Sequence, residues 1–411
     1  MDAKAISRLL LKLWTASLIL LHSSAVIAKA PQPLHAMKNI FDVTADMVAA
    51  NPARSTVRAF DISPDGSLLV ILCADRNTSG GTELQGVLFS IAKRKVVQRT
   101  SLGGDYPQIS GYLPHILFSY DQKYVVVQTT RTLQVLSAES LALIRVISVP
   151  DGPFKVPLDI HLSAAKDAVA ITYGTGQPYT YSVEKAEVYT EFVRLSSERA
   201  VNGWQSDDKP QALSPDGSFA VLSDWNTPNS SGVLKLKIAN AQTGAFARTV
   251  DTGYAFGSPP SGYPGRSVGN FMTDHELIVS PDNTRDTRGD EMNGKLKIVN
   301  WQSGAVEHEI TAKGLSPTGE LALAQNGKSF VVVSWFLDAY VAHHDVALPP
   351  RSSPAVFIFN DQGQVVAIGE HLDAKGLSVN GAVDVLRPRL SAEGSRLAIA
   401  QDGGIRVFDI Q

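Results

Sequence analysis

The chain has 411 residues, of which 44% are hydrophobic and 19% charged, and its formal net charge is −3. That apolar content with so few charges excludes a disordered chain. The slightly negative balance, with no Lys/Arg run, excludes a surface built to neutralise nucleic-acid phosphates.

Residues 1–28 read as a signal peptide. Lys4, Arg8 and Lys12 form a positive n-region, Leu13 to Leu21 an apolar h-region, and Val26-Ile27-Ala28 a small-x-small cleavage signal. The apolar stretch after Lys12 is shorter than the ~20 residues a membrane span needs. Cleavage after Ala28 would leave a mature chain with no transmembrane segment and a charge near −5. Cys73 is the single cysteine and sits in the run "LLVILCA", as a buried, inert thiol would. An exported chain without disulfides fits a bacterial periplasmic or secreted protein.

The next signal is a repeated sentence. "ISPDGSLLVIL" (62–72) returns as "FSYDQKYVVVQ" (118–128), "LSAAKDAVAITY" (162–173), "LSPDGSFAVLS" (213–223), "FMTDHELIVS" (271–280), "LAQNGKSFVVVSW" (323–335) and "LSAEGSRLAIA" (390–400). Each copy predicts a strand, a tight turn fixed by Pro, Asp and Gly, and an apolar strand buried on both faces. A third strand follows in each: "GVLFSI", "LQVLSA", "YTYSV" (179–183), "GVLKLKI", "GKLKIVN", "PAVFIFN" and "GIRVFDI". Turns such as "AQTG" (241–244), "WQSG" (301–304) and "NDQG" (360–363) then lead to a more polar fourth strand.

Seven four-stranded antiparallel units predict an all-β, seven-bladed β-propeller. The last copy ends after three strands, so "AMKNIFDVT" (36–44) is expected to supply the fourth and close the ring. The resulting organisation is a signal peptide at 1–28, an N-terminal extension with the closing strand at 29–58, and the propeller at 59–411. "LSPTGELAL" (315–323) offers a rival register for the sixth copy and keeps six or eight blades open. A pair of β-sandwiches is the competing fold.

The "LSPDGS…" and Thr-Gly turns resemble those of WD40-like and YVTN-type propellers exported by bacteria, over nearly all of 37–411. The chain departs from true WD40 repeats in having no Gly-His opening and no Trp-Asp, with Phe408-Asp409 as the nearest counterpart. The resemblance implies the architecture. Such propellers serve as scaffolds, ligand sensors, lactonases and dehydrogenase components, so it leaves the activity open.

The turns joining first to second and third to fourth strands are short. The remaining connections are long (74–86, 102–115, 195–211, 224–231, 251–270, 280–293 and 336–353) and all belong to the opposite face. Long loops on a rigid scaffold carry function. Their aromatic residues suit a binding surface, so Tyr106, Tyr112, Trp204, Trp225, Tyr254, Tyr263, Trp335 and Tyr340, with Arg266, are candidates for engaging a protein or an extended ligand. Packing beneath their own loops is the competing role.

His115, His343 and Asp345 are the candidate metal ligands, although neighbours such as His343 and His344 point opposite ways in extended chain. "DNTRDTRGDEMNG" (282–294) is acidic but lacks the spacing of a calcium loop. "GRSVG" (265–269) matches G-x-S-x-G in a loop before a strand, not at a strand–turn–helix elbow. No phosphate loop, dinucleotide fingerprint, HExxH or haem motif is present. The leading expectation is therefore a non-enzymatic binding module without a cofactor, a divalent metal remaining open. The alternative is a lactonase-like hydrolase or dehydrogenase component at the channel mouth, using His115, Asp207, Asp208, His343 and Asp345. Nothing in the sequence speaks to the oligomeric state.

Overall fold

The computed structural model describes residues 37–48, 55–76, 82–105, 115–128, 132–147, 156–163, 167–174, 188–196, 200–206, 208, 210–223, 233–255, 266–282, 296–310, 320–333, 356–369, 388–401 and 404–411. The expected signal peptide lies outside them. None of the described helices is long and apolar enough to cross a membrane.

Strand β1 (Met37–Val43) and a single turn of helix, α1 (Ala45–Val48), precede the first blade. Blade 1 is β2 (Ser55–Ile62), β3 (Leu68–Arg76), β4 (Thr82–Ser90) and β5 (Lys95–Asp105). Blade 2 is β6 (Ile116–Phe118), β7 (Tyr124–Gln128), β8 (Leu133–Ser137) and β9 (Leu143–Ile147). Blade 3 is β10 (Val156–Leu162), β11 (Ala168–Gly174), β12 (Val188–Arg194) and β13 (Ala200–Ser206). Blade 4 is β14 (Pro210–Leu213), β15 (Phe219–Ser223), β16 (Val233–Asn240) and β17 (Phe246–Ala255). Blade 5 is β18 (Arg266–Phe271), β19 (Glu276–Asp282), β20 (Leu296–Asn300) and β21 (Val306–Ile310). Blade 6 is β22 (Glu320–Leu323), β23 (Ser329–Val333), β24 (Val356–Asn360) and β25 (Val365–Gly369). Blade 7 is β26 (Arg389–Leu390), β27 (Arg396–Gln401), β28 (Gly404–Ile410) and, from the other end of the chain, β1.

Seven antiparallel four-stranded sheets thus form a ring, and the six- and eight-bladed alternatives fall away. The sixth copy takes its turn at 324–328, with Glu320–Leu323 of the rival stretch as the strand before it; 315–319 lie outside the described residues. In blade 3 the third strand is "VYTEFVR" at Val188–Arg194, not the expected "YTYSV" at 179–183, which lies outside the described residues. Both fragments have the β-rich pattern. The one that wins places Phe192 and Val193 against Ala170 and Val169.

The first strand of each blade is innermost: β2 meets β6 and β26, β10 meets β14, β14 meets β18, and β22 meets β26. The second strands are apolar on both sides because both sides face another blade. The core is accordingly divided into seams between blades, such as Leu72, Leu84, Leu136 and Leu141 between blades 1 and 2. One larger cluster spans blades 6, 7 and 1.

The repeated turn has a fixed internal chemistry. Ser214 Oγ donates to Asp216 Oδ1 (2.6 Å) and accepts the N–H of Phe219 (2.9 Å), while Asp216 accepts the N–H of Ser218 (2.8 Å). The same bonds recur at Ser63–Asp65 and Ser119–Asp121. Gly217, at φ 68°, takes the left-handed conformation that closes the loop. These serines are buried, so Ser214→Ala strands the N–H of Phe219 and takes one donor from Asp216, which keeps that of Ser218. The loss is expected at ~1–2 kcal/mol, read as a lowered denaturation midpoint with an unchanged slope.

The turns also join hands around their face. The N–H of Asn326 donates to Ala392 O (3.0 Å) and that of Ala392 to Pro64 O (2.7 Å), linking blades 6, 7 and 1. Ser163 Oγ donates to Pro215 O (3.1 Å) and the N–H of Asp216 to Asp274 Oδ1 (2.9 Å), linking blades 3, 4 and 5.

Candidate functional site

The two ends of the blades are built differently. At one end the first and second strands of each blade are separated by only four or five residues, at 63–67, 119–123, 163–167, 214–218, 272–275, 324–328 and 391–395. At the other end the strands are joined through 106–115, 175–187, 256–265, 283–295, 334–355 and 370–388. The strand boundaries therefore show longer joins at this end in most blades, with 129–132, 207–209 and 402–403 as short exceptions.

Several expected loops are corrected: 102–115 begins only after β5 ends at Asp105, 251–270 reduces to 256–265 between β17 and β18, and 280–293 begins after β19 ends at Asp282. Residues 195–211 are not one long loop: β12 ends at Arg194, Ala200–Ser206 is the outer strand β13, and only 207–209 separate it from β14. Residues 74–86 shrink to 77–81, because β3 and β4 extend into them.

Trp204 therefore stands on a strand and is buried. Its indole N–H donates to Ala241 O of blade 4 (2.9 Å), and a methyl added at Gly244 would fall 2.6 Å from its ring. It fills the seam between blades 3 and 4, so its role is packing. The same seam position recurs elsewhere: Arg145 Nη2 donates to Arg194 O, and Arg248 Nη2 to Ser303 O (3.1 Å). Trp204, Arg145 and Arg248 thus tie three outer strands to the next blade, at the end of its third strand or in the turn that follows.

Of the other candidates, the backbones of Tyr254 and Arg266 lie in β17 and β18, at the end where the long connection between them departs. Tyr106, Tyr112, Trp225, Tyr263, Trp335, Tyr340, His343 and Asp345 lie outside the described residues, as does Asp207. His115 is buried just ahead of β6, where its carbonyl accepts the N–H of Gln128 (2.8 Å). Asp208 is buried and paired with Lys237 (2.6 Å). Ser267 of "GRSVG" is on β18, without the strand–turn–helix context of a nucleophile. Burial pushes the Cys73 thiol up to about 12, and Asp75 adds to the effect, so the thiol is inert. Among the described residues no cluster of three or more His, Cys, Asp or Glu could hold a metal.

The inner strands carry a group that sequence reading missed. Two residues before each turn's first position stand Asp61, Leu117, His161, Ala212, Asn270, Ala322 and Arg389, one per blade, all half-buried. Asp61 Oδ1 accepts the N–H of Ile62 (2.9 Å), and Oδ2 accepts the N–H of Phe118 in blade 2 (2.9 Å). Arg389 of blade 7 brings Nε to 3.7 Å from Asp61 Oδ1 and donates it to Phe60 O (3.2 Å). His161 Nε2 lies 3.1 Å from Pro210 O of the next blade. The legible signal was a charge inside an apolar inner strand, as in "FDIS" and "RLS".

Asp61 is 15% exposed at its side chain. Burial raises its pKa to about 6, against the lowering pull of Arg389 and the two N–H donors. The native state therefore holds a proton that the unfolded chain releases near pH 4. Stability is expected to fall by on the order of 2 kcal/mol as pH rises from about 4 to 7 through this group. Asp61→Asn should flatten that segment of the stability–pH curve.

No protein-family model matches the chain, and no curated protein matches it in sequence. Its fold is similar to that of an oligogalacturonate lyase in complex with manganese, with a TM-score of 0.58, 11% identity, and 92% of this chain and 97% of that one covered. An oligogalacturonate lyase from Vibrio parahaemolyticus gives a TM-score of 0.58 at 12% identity, over 92% and 97% of the two chains. The WD40 domain of Neurospora crassa Pan2 gives 0.54 at 10% identity, over 91% and 95%. At such identities the likeness is one of fold, and it is shared by enzymes and by a WD40 domain.

Proposed function

We infer that this chain is an exported β-propeller binding module that engages a protein or an extended ligand across the face bearing its long connections. One observation carries the reading: tight turns, cross-linked from blade to blade, at one end of the blades and connections as long as 334–355 at the other. A rigid ring with one elaborated face is the arrangement of a recognition surface. Trp225, Trp335, Tyr340, Tyr263, Tyr106 and Tyr112 belong by sequence to that elaborated set. The signal-peptide pattern of residues 1–28 is what supports putting that binding outside the cytoplasm.

A photo-crosslinking amino acid at Trp335, Tyr340 or Tyr263 is expected to capture one common partner in the exported fraction. The same reporter at Ser67 or Gln302, on tight turns, should capture none. Capture from the tight-turn positions alone would reverse the assignment.

The manganese-bound lyase neighbour supports a second reading, an enzyme with a divalent metal near the channel mouth, held by His115, His343 and Asp345. Metal analysis of protein purified without chelator separates the two. One metal per chain, lost in His343→Ala, would favour the enzyme. Metal-free protein that still captures its partner would favour the binding module.

A further inference from the structure

The outer rim of blade 2 carries a strand edge dressed for pairing. Strand β9 ends the hydrogen-bonded order β6-β7-β8-β9, so one side of its backbone meets no further strand among the described residues. Such an edge is a template for another strand unless charges, bulges or a covering segment blunt it. Three of its five side chains stand in solvent: Leu143 is 57% exposed, Ile144 51% and Val146 46%. Other outer strands hold charges at exposed positions, with Asp42 on β1, Lys95 on β5, Asp251 on β17, and Glu307 and Glu309 on β21. The pairing of β5 to its neighbour is also irregular at three places and that of β17 at two, whereas β9 has a single irregularity, at its start.

The one charge on β9 is withdrawn from the edge. Arg145 Nη2 donates to Arg194 O of blade 3, in the seam where Ile147 also packs. What remains reads alike in both directions: Leu143-Ile144 on one side of Arg145 and Val146-Ile147 on the other.

We propose that β9 is a self-association edge, to which a second copy of this chain adds its own β9 antiparallel. Pairing centred on Arg145 sets Ile144 opposite Val146 of the partner subunit and Leu143 opposite Ile147 of the partner subunit, apolar against apolar about a two-fold axis. A foreign strand would be selected by a charge or a pocket. This edge offers no charge, and its own copy needs none. Three side chains per copy fall short of the ~1,200 Å² that a lasting interface buries, so the dimer is weak and forms at high concentration. Opposed β9 strands set the two ring axes in opposite senses, which turns the long-connection faces away from each other and leaves both open. The edge belongs to the rim, so self-association and partner capture are separate readouts.

Sedimentation velocity on the mature full chain, over a concentration series reaching ~1 mM, reads the association. Expected is a reversible monomer–dimer equilibrium. Ile144→Lys and Val146→Glu each put an unpaired charge into the join and should weaken self-association by about tenfold or more. Both sites are exposed, so the denaturation midpoint should not move. Mixed together, the two variants should associate again, because the new ammonium then faces the new carboxylate across the join. Phe246→Lys, at an apolar site on β17 that is 65% exposed, should leave association unchanged. A chain that stays monomeric throughout the series would overturn the proposal. So would a dimer that survives both variants, or one lost in both and not restored by the mixture.

Discussion

Removing residues 37–43 is expected to open the ring and lower stability by on the order of 5 kcal/mol, the largest effect of any short deletion. Strand β1 is the outer strand of blade 7 and pairs with β28 from Met37↔Ile410 to Val43↔Ile405. Val43 is fully buried, and Phe41 stacks on Phe89 of blade 1 with ring centroids 5.8 Å apart. Arg406 grips Asp42 through Nε to Oδ1 at 2.8 Å, and Arg94 of blade 1 lies over the Phe41 ring at 5.4 Å. Without β1, β28 becomes an apolar edge and the seam from blade 7 to blade 1 loses its outer wall.

A point variant tests the same contact. A methyl at Gly404 would lie 2.4 Å from the carbonyl oxygen of Val43, a backbone atom that cannot swing aside. Gly404→Ala should weaken closure specifically. Hydrogen exchange should then rise first in β1 and β28, with blades 3 to 5 retaining their protection. Uniform loss of protection in all blades would show instead that the ring opens only by global unfolding.

Trp204→Ala is expected to cost ~3–5 kcal/mol. Its seam is otherwise lined by Ala168, Ala170, Ala220, Ala239 and Ala241, with Phe192, Leu213 and Leu222. So many small neighbours cannot collapse into the space an indole leaves, which puts the cavity cost near the top of the range. Trp204→Phe keeps most of the volume and loses only the bond to Ala241 O, about 1 kcal/mol. Thermal denaturation reads the ranking directly. Under conditions where the Ala variant is folded, partner capture should match the parent protein; a selective loss of capture at unchanged stability would return Trp204 to the recognition surface.

The sequence by itself determined the propeller architecture, the turn chemistry and the closing strand, while the count of seven blades was settled by the strand pairing. That information is local: Ser, Asp and Gly at fixed offsets bond to one another within five residues, and two-sided apolar runs report burial between blades. It also determined which ends of the strands carry long connections, because connection length needs only strand boundaries. Only the tertiary structure decided what Trp204, Asp208 and Asp61 do. A tryptophan near a loop and a tryptophan in a seam look alike along the chain, and Ala241, which receives its N–H, is 37 residues away. Asp61 and Arg389 stand 328 positions apart and meet only because the ring closes, where burial turns an ordinary carboxylate into one that titrates near 6.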